Sequence, residues 1–115
     1  MDNFHQAPII QNVTDFYKEL YLTIEKMPKK DKYTLGEKLE NSTLNLLELL
    51  LAASFTERER KVNLLNQAAA KLDLLKILVR LAENLQAIST KKYLYLEEIL
   101  QEIGRMLGGW IKSIR

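Results

Sequence analysis

Few side chains in this sequence have the type and spacing that catalysis or metal binding requires. The one histidine is His5 and the chain contains no cysteine, which excludes disulfides, thiolate metal sites and cysteine nucleophiles. Glu98 and Glu102 lie one helical turn apart, but no histidine follows any glutamate at the spacing of di-metal bundles. Phosphate-binding glycine loops and nucleophile motifs are also missing. The sequence therefore predicts no enzyme activity, metal, cofactor or small-molecule substrate.

Basic side chains are concentrated in the second half of the chain. Residues 56–115 contain 11 basic and 7 acidic side chains, whereas residues 1–55 contain 6 and 8. The total net charge of +2 excludes a strongly basic nucleic-acid binder but not a local basic patch. Phosphate contacts need positive side chains that point the same way. The candidates for nucleic-acid binding are Lys76, Arg80, Lys91, Lys92, Arg105 and Lys112.

The spacing of these residues permits two interpretations. Arg105 and Lys112 fall within about 20° of each other on a helix, and Lys76 and Arg80 lie one turn apart. They could form one basic surface. Alternatively, Arg105 pairs with Gln101, Glu98 or Glu102 within its own helix, and the face is merely solvated. The polar faces show no aromatic platform for base stacking, so sequence readout is not expected.

Three glycines close to the C-terminus are unusual for a helical segment. Each of Gly104, Gly108 and Gly109 costs about 1 kcal/mol relative to alanine inside a helix. Gly104 and Gly108 are one turn apart, so another backbone could approach there, and both are candidates for a subunit interface. Gly108 and Gly109 could instead end the helix. Because the apolar phase continues through Trp110, we expect a continuous or kinked helix.

Apolar periodicity places all these residues on four helices. The chain is rich in leucine and contains only 4 glycines and 2 prolines, a composition typical of all-α proteins. Side chains repeat at three- and four-residue steps over helices that cover about 8–27, 35–54, 57–88 and 91–112.

Local signals predict where these helices begin and end. Pro8 suits a first turn, and Pro28 should end the first helix, followed by the charged loop PKKDKY. Thr34 and Thr56 each precede a glutamate by three residues and predict capping boxes. Ser89 and its neighbour mark the last break. Short connections make neighbouring helices antiparallel, so we predict a single domain over residues 1–115, an up-down four-helix bundle.

The apolar faces are wider than one bundle requires. The second helix has a second stripe of Leu44, Leu47 and Leu51. The third has one that contains Leu74, Leu78, Leu81, Leu85 and Ile88. Because these stripes are continuous, we expect oligomerisation, with Leu74, Leu78 and Leu81 as candidates for the subunit interface. The pattern does not show which of the two seams of the third helix faces the partner subunit. The alternative is a large core with some exposed leucines, which is common.

At this point four segments indicate a family. GRMLGGWIK (104–112) resembles the C-terminal signature of the Avd family, the accessory variability determinants of diversity-generating retroelements. The segments YTLGEKLE (33–40), NLLELLLAA (45–53) and KLDLLKILVRLA (71–82) agree in order. A broader related group consists of four-helix-bundle proteins encoded in intervening sequences of bacterial 23S ribosomal RNA genes, and it remains the rival assignment.

The resemblance implies a function. Avd-family proteins are four-helix bundles that form a pentameric barrel. They bind a reverse transcriptase and nucleic acid, chiefly template RNA, through basic surface residues, and they support mutagenic retrohoming without catalytic activity. The resemblance thus implies a homopentamer with reverse transcriptase and RNA or DNA as partners. The alternative is an oligomeric scaffold of the intervening-sequence type that binds a protein partner and no nucleic acid.

The sequence also suggests a location. The first residues, MDNFHQAP, lack the basic start and apolar stretch of a signal peptide. The most apolar stretch, LNLLELLLAA, is interrupted by Asn45 and Glu48 and is too short to span a membrane. We therefore expect a cytoplasmic protein that does not bind membranes.

Overall fold

The chain forms four long helices in a computed structural model. The structure describes the backbone of residues 3–115 and the side chains from His5 onward, so the first two residues of the predicted domain lie outside the described part. Within the described residues there is no strand, and the long helices are α1 (Asn3–Glu25), α2 (Glu37–Ser54), α3 (Arg58–Asn84) and α4 (Thr90–Ile114). This confirms the predicted all-α fold with four helices.

The helices pack as a closed bundle. Each helix contacts the next one along the chain, and α1 also packs against α4. The bundle measures 43 × 22 × 19 Å. Each helix is apolar on the side that faces the core, where Phe16, Leu46, Leu75 and Trp110 are fully buried. Among the described residues, no helix is both long enough and apolar enough to cross a membrane.

The first helix differs from the prediction at both ends. It begins before Pro8, which lies inside it, and ends at Glu25 rather than near residue 27. Pro8 is tolerated because its missing N–H removes only one bond close to the helix start. At the other end, the N–H of Met27 bonds to the carbonyl of Ile24 at 3.0 Å, a tighter turn that precedes Pro28.

The segment between α1 and α2 was predicted to be a charged loop, and this prediction is wrong because the segment is helical. Residues Lys29–Asp31 form a helical turn, and Lys32–Gly36 form a π-helix that leads directly into α2. Thr34 does not cap α2, because its hydroxyl donates back to the carbonyl of Lys30 at 2.8 Å. The chain is already helical there, so a threonine bonds to the preceding turn instead of opening a new helix.

The capping box predicted at Thr56 is also wrong. The residue that caps α3 is Glu57, without a side-chain hydrogen bond. The hydroxyl of Thr56 donates instead to the carbonyl of Ala52. It therefore satisfies the last turn of α2, where carbonyls lack helical partners.

The third helix ends four residues earlier than predicted. Gln86 has a φ of 63°, and its N–H bonds to the carbonyl of Glu83 at 3.0 Å. The N–H of Ala87 bonds to the carbonyl of Ala82 at 2.8 Å. These bonds form a Schellman motif, which usually has glycine at the left-handed position. Because that position holds glutamine, the sequence lacks the glycine that would have predicted the end of the helix.

The fourth helix is continuous through its glycines, as expected. It runs from Thr90 to Ile114, so Gly108 and Gly109 do not end it. Ser89 caps it, since its hydroxyl accepts the N–H of Lys92 at 3.0 Å. The predicted break before this helix is confirmed.

Two glycine substitutions should have opposite effects on folding. A Cβ at Gly36 would lie 2.9 Å from Cγ2 of Ile24, whereas a Cβ at Gly109 would meet nothing within 4 Å. We expect Gly36→Ala to lower the free energy of unfolding by about 1–3 kcal/mol through overpacking. Gly109→Ala should raise that free energy by up to about 1 kcal/mol. Chemical denaturation of both variants measures these changes, and equal effects would contradict the described packing.

Candidate nucleic-acid and subunit interfaces

Lys76 and Gly104 are brought together where α3 packs against α4. A Cβ built on Gly104 would lie 3.4 Å from Nζ of Lys76 and 3.4 Å from Cδ2 of Leu72. The missing side chain thus leaves room for the half-buried lysine to lie across α4. Gly104 therefore has a packing partner within its own chain. Its predicted place in a subunit interface is not needed to explain the glycine.

A shallow groove of about 380 Å³ runs between α3 and α4 at this point. Its lining includes Leu72, Gly104 and Gly108 together with Lys76 and Arg105. Two of the six predicted basic residues therefore line one groove. Asp73 also lines it and reduces its positive charge.

Arg105 is paired within its own helix. Its guanidinium donates from Nε to Oε1 of Glu102 at 3.0 Å and from its terminal nitrogen to the other carboxylate oxygen. The hydrogen bond from Arg105 favours the charged form of Glu102 and lowers the pKa of this carboxyl group. Part of the positive charge of Arg105 is therefore compensated locally, as the alternative interpretation of this face expected.

The other four basic candidates are distributed along the two helices. Lys92 turns toward α1, where its Nζ lies 3.8 Å from the carboxylate of Glu19 and 5.2 Å from the centroid of the Tyr95 ring. Arg80, Lys91 and Lys112 are exposed. Lys112 lies in the last turn of α4, where a cation interacts favourably with the helix dipole. None of the four lines the α3–α4 groove.

The predicted leucine stripe of α3 is divided between core and surface. Leu78 is only 9% exposed and belongs to the core of its own chain, whereas Leu81 is 40% exposed. Leu74 is partly buried against the core. Ile88, predicted in the same stripe, is buried after the end of α3. Leu78 is thus largely covered by its own bundle, and its place in a subunit interface stays a prediction.

An exposed apolar stripe remains on α3. Ile77 is 60% exposed and Leu85 is 59% exposed. Together with Leu74 and Leu81 they recur at three- and four-residue steps and share one side of the helix. We call these four residues the α3 stripe. The predicted stripe contained Leu78 instead of Ile77, because periodicity alone does not show which of these two neighbours faces the core.

A second group of exposed apolar side chains lies on α2 and just after it. Leu44, Leu51 and Phe55 are exposed, and Leu47 is partly buried. The predicted second stripe of α2 is thus at the surface of the isolated chain. Gly108, the other interface candidate, is exposed, and a Cβ there would meet nothing within 4 Å. Whether these surfaces contact another subunit stays a prediction.

Exposed aromatic rings are the feature that the sequence reading missed. Tyr21 and Tyr33 are both more than half exposed at the end of the bundle where α1 meets α2. The prediction that the polar faces lack an aromatic platform for base stacking stays a prediction. Hydrophobic periodicity does not predict these exposed rings, because the turn before α2 is irregular. Among the described residues, no group of three histidine, cysteine or acidic side chains could hold a metal ion.

One family resembles this chain over nearly its whole length. A family model described as bAvd-like matches residues 8–114, which confirms the resemblance to Avd-type proteins. No curated protein gives a significant match.

Substitutions on α3 should separate core from surface. Leu78→Glu places a charge in the core and should prevent folding at a cost of more than about 3 kcal/mol. Leu81→Glu lies on the α3 stripe and should leave helicity unchanged while abolishing any self-association. Circular dichroism and light scattering report the two properties. If Leu81→Glu keeps the size of the parent protein, the α3 stripe is not a subunit interface.

Proposed function

The chain belongs to the bAvd-like family, and we propose that it is a non-catalytic accessory protein of a diversity-generating retroelement. In this proposal it binds template RNA and a reverse transcriptase in the cytoplasm and supports mutagenic retrohoming. The observation that supports it most strongly is the family match over residues 8–114. A reverse-transcriptase gene beside that of this chain would support the polymerase partnership.

RNA would bind to the basic side chains of α3 and α4. Lys76 and Arg105 share the groove between these helices, and Arg80, Lys91 and Lys112 are exposed. Each chain contributes only a few cations, so the proposed affinity depends on repetition around an oligomer. When several weak contacts act together in one assembly, the overall affinity rises by a large factor, although no single contact becomes stronger.

The proposed oligomer is a homopentameric ring. The α3 stripe and the exposed leucines of α2 support it, because monomeric proteins rarely expose continuous apolar stripes. Gly108 supports it too, since its cost inside α4 is not offset by any contact within the chain. In the ring, these residues would face neighbouring subunits.

The second candidate function is an oligomeric scaffold that binds a protein and no nucleic acid. The pairing of Arg105 with Glu102 favours it, because a neutralised arginine contributes less to phosphate binding. The same apolar surfaces would then serve assembly and the protein partner. RNA binding at low salt separates the two candidates.

Removing two cations from α4 should weaken RNA binding. We expect Arg105→Ala combined with Lys112→Ala to lower affinity for structured RNA about tenfold and to reduce the salt slope by about 1–2. Helicity and assembly should not change, because both side chains are exposed. Filter binding over a salt series measures the slope. The matched control is Lys18→Ala with Lys38→Ala, which removes two exposed lysines from α1 and α2.

A neutral substitution of the partner carboxylate gives the opposite result. Glu102→Gln keeps the size of the side chain and releases Arg105 from its ion pair. RNA affinity should then rise by a few-fold, since one more free cation faces the phosphates. If the parent protein fails to retain RNA at low salt, the scaffold function replaces the RNA-binding one. If RNA affinity is unchanged both in Glu102→Gln and in the double variant Arg105→Ala with Lys112→Ala, then Arg105 is not part of the RNA-binding site.

A further inference from the structure

A cleft of about 330 Å³ opens where α1 meets the π-helix and the start of α2. Its lining includes Tyr21, Glu25, Lys32, Tyr33, Glu37 and Glu40. We call it the tyrosine–glutamate cleft. Three of these side chains belong to YTLGEKLE (33–40), a segment that has no role in the RNA binding proposed above.

The cleft presents two tyrosine rings to solvent. Tyr33 is 64% exposed and Tyr21 is 56% exposed, although aromatic side chains gain much from burial. Tyr17 lies behind them, with its ring centroid 6.3 Å from that of Tyr21. Its hydroxyl donates to Oε2 of Glu40 at 3.5 Å. Burial and the Glu40 carboxylate raise the pKa of Tyr17.

The shape of the cleft depends on Gly36. A Cβ at this position would lie 2.9 Å from Cγ2 of Ile24, a residue of the cleft lining. The absence of a side chain lets the π-helix pack closely against α1. Tyr33 of the π-helix and Tyr21 of α1 line the same cleft. Irregular π-helical turns occur frequently at functional sites.

The lining of the cleft is negatively charged. It contains the carboxylates of Glu25, Glu37 and Glu40 and one ammonium group, that of Lys32. The ion pairs within the described residues involve other carboxylates, so these three glutamates have no cationic partner within 4 Å. The lysines of residues 26–30 do not line the cleft. Unpaired carboxylates beside exposed aromatic rings favour a cationic ligand.

We propose that the tyrosine–glutamate cleft binds the guanidinium group of an arginine side chain from a protein partner. Guanidinium is planar, stacks on aromatic rings and pairs with carboxylates through two parallel hydrogen bonds. The cleft volume is at the low end for ligand sites, which suits one side chain. A phosphate would be repelled by the carboxylates, so nucleic acid is not its ligand. The inference is independent of the RNA binding proposed above.

The test is a titration of the full chain with the capped peptide Gly-Gly-Arg-Gly-Gly, observed through the tyrosine ring signals by NMR. We expect saturable shifts at Tyr21 and Tyr33. Glu37→Gln combined with Glu40→Gln should weaken binding about tenfold, because charge-assisted hydrogen bonds are lost. The peptide with lysine in place of arginine should bind several-fold more weakly, since its ammonium group cannot stack.

Matched variants make the result specific to the cleft. Glu48→Gln with Glu59→Gln removes the same charge from exposed positions elsewhere and should leave peptide binding unchanged. Tyr33→Ala should weaken binding, whereas Tyr33→Phe retains the ring and should preserve it. Equal weakening by both double variants would overturn the proposal. So would displacement of the peptide by a single-stranded oligouridine, which would identify the rings as a base-stacking platform.

Discussion

Each helix of this bundle can bury only one side against the other three, and this constraint determines most of the surface. The buried sides are filled by large residues such as Phe16, Leu46 and Trp110, each worth roughly 1.5–3 kcal/mol of burial. The sequence supplies more apolar side chains than these sides can hold. The excess on α2 and α3 is therefore left at the surface, where it is available for contacts between chains.

The same packing also determines where charge is available. The close approach of α3 and α4 at Gly104 draws Lys76 into the groove between them, and the pairing of Arg105 with Glu102 restrains the charge of α4. The basic surface is thus modest in one chain. The proposed RNA binding relies on repetition of this surface, so it depends on the assembly that the apolar stripes are proposed to form.

The connection between α1 and α2 has a different character from the other two. The α2–α3 and α3–α4 connections are short turns stabilised by hydrogen bonds to the preceding helix. The connection before α2 remains helical but widens into a π-helix, and Gly36 holds it against α1. This connection contributes Lys32 and Tyr33 to a cleft at one end of the bundle that Tyr21 of α1 also lines.

The sequence by itself determined the fold class, the number of helices, the continuity of α4 and the family, because all of these follow from apolar periodicity and extended motifs. It did not determine the local ends, since threonine hydroxyls can bond forward as caps or backward to the preceding turn. The sequence also did not show which residues of the predicted α3 stripe are buried and which are exposed. Ile77 and Leu78 are both apolar neighbours, and only the position of the neighbouring helices decides which of them faces the core. Only the tertiary structure decided that Leu78 is core and Ile77 is surface, and that Tyr21 and Tyr33 line one cleft. Those outcomes depend on contacts between distant segments, which no local pattern specifies.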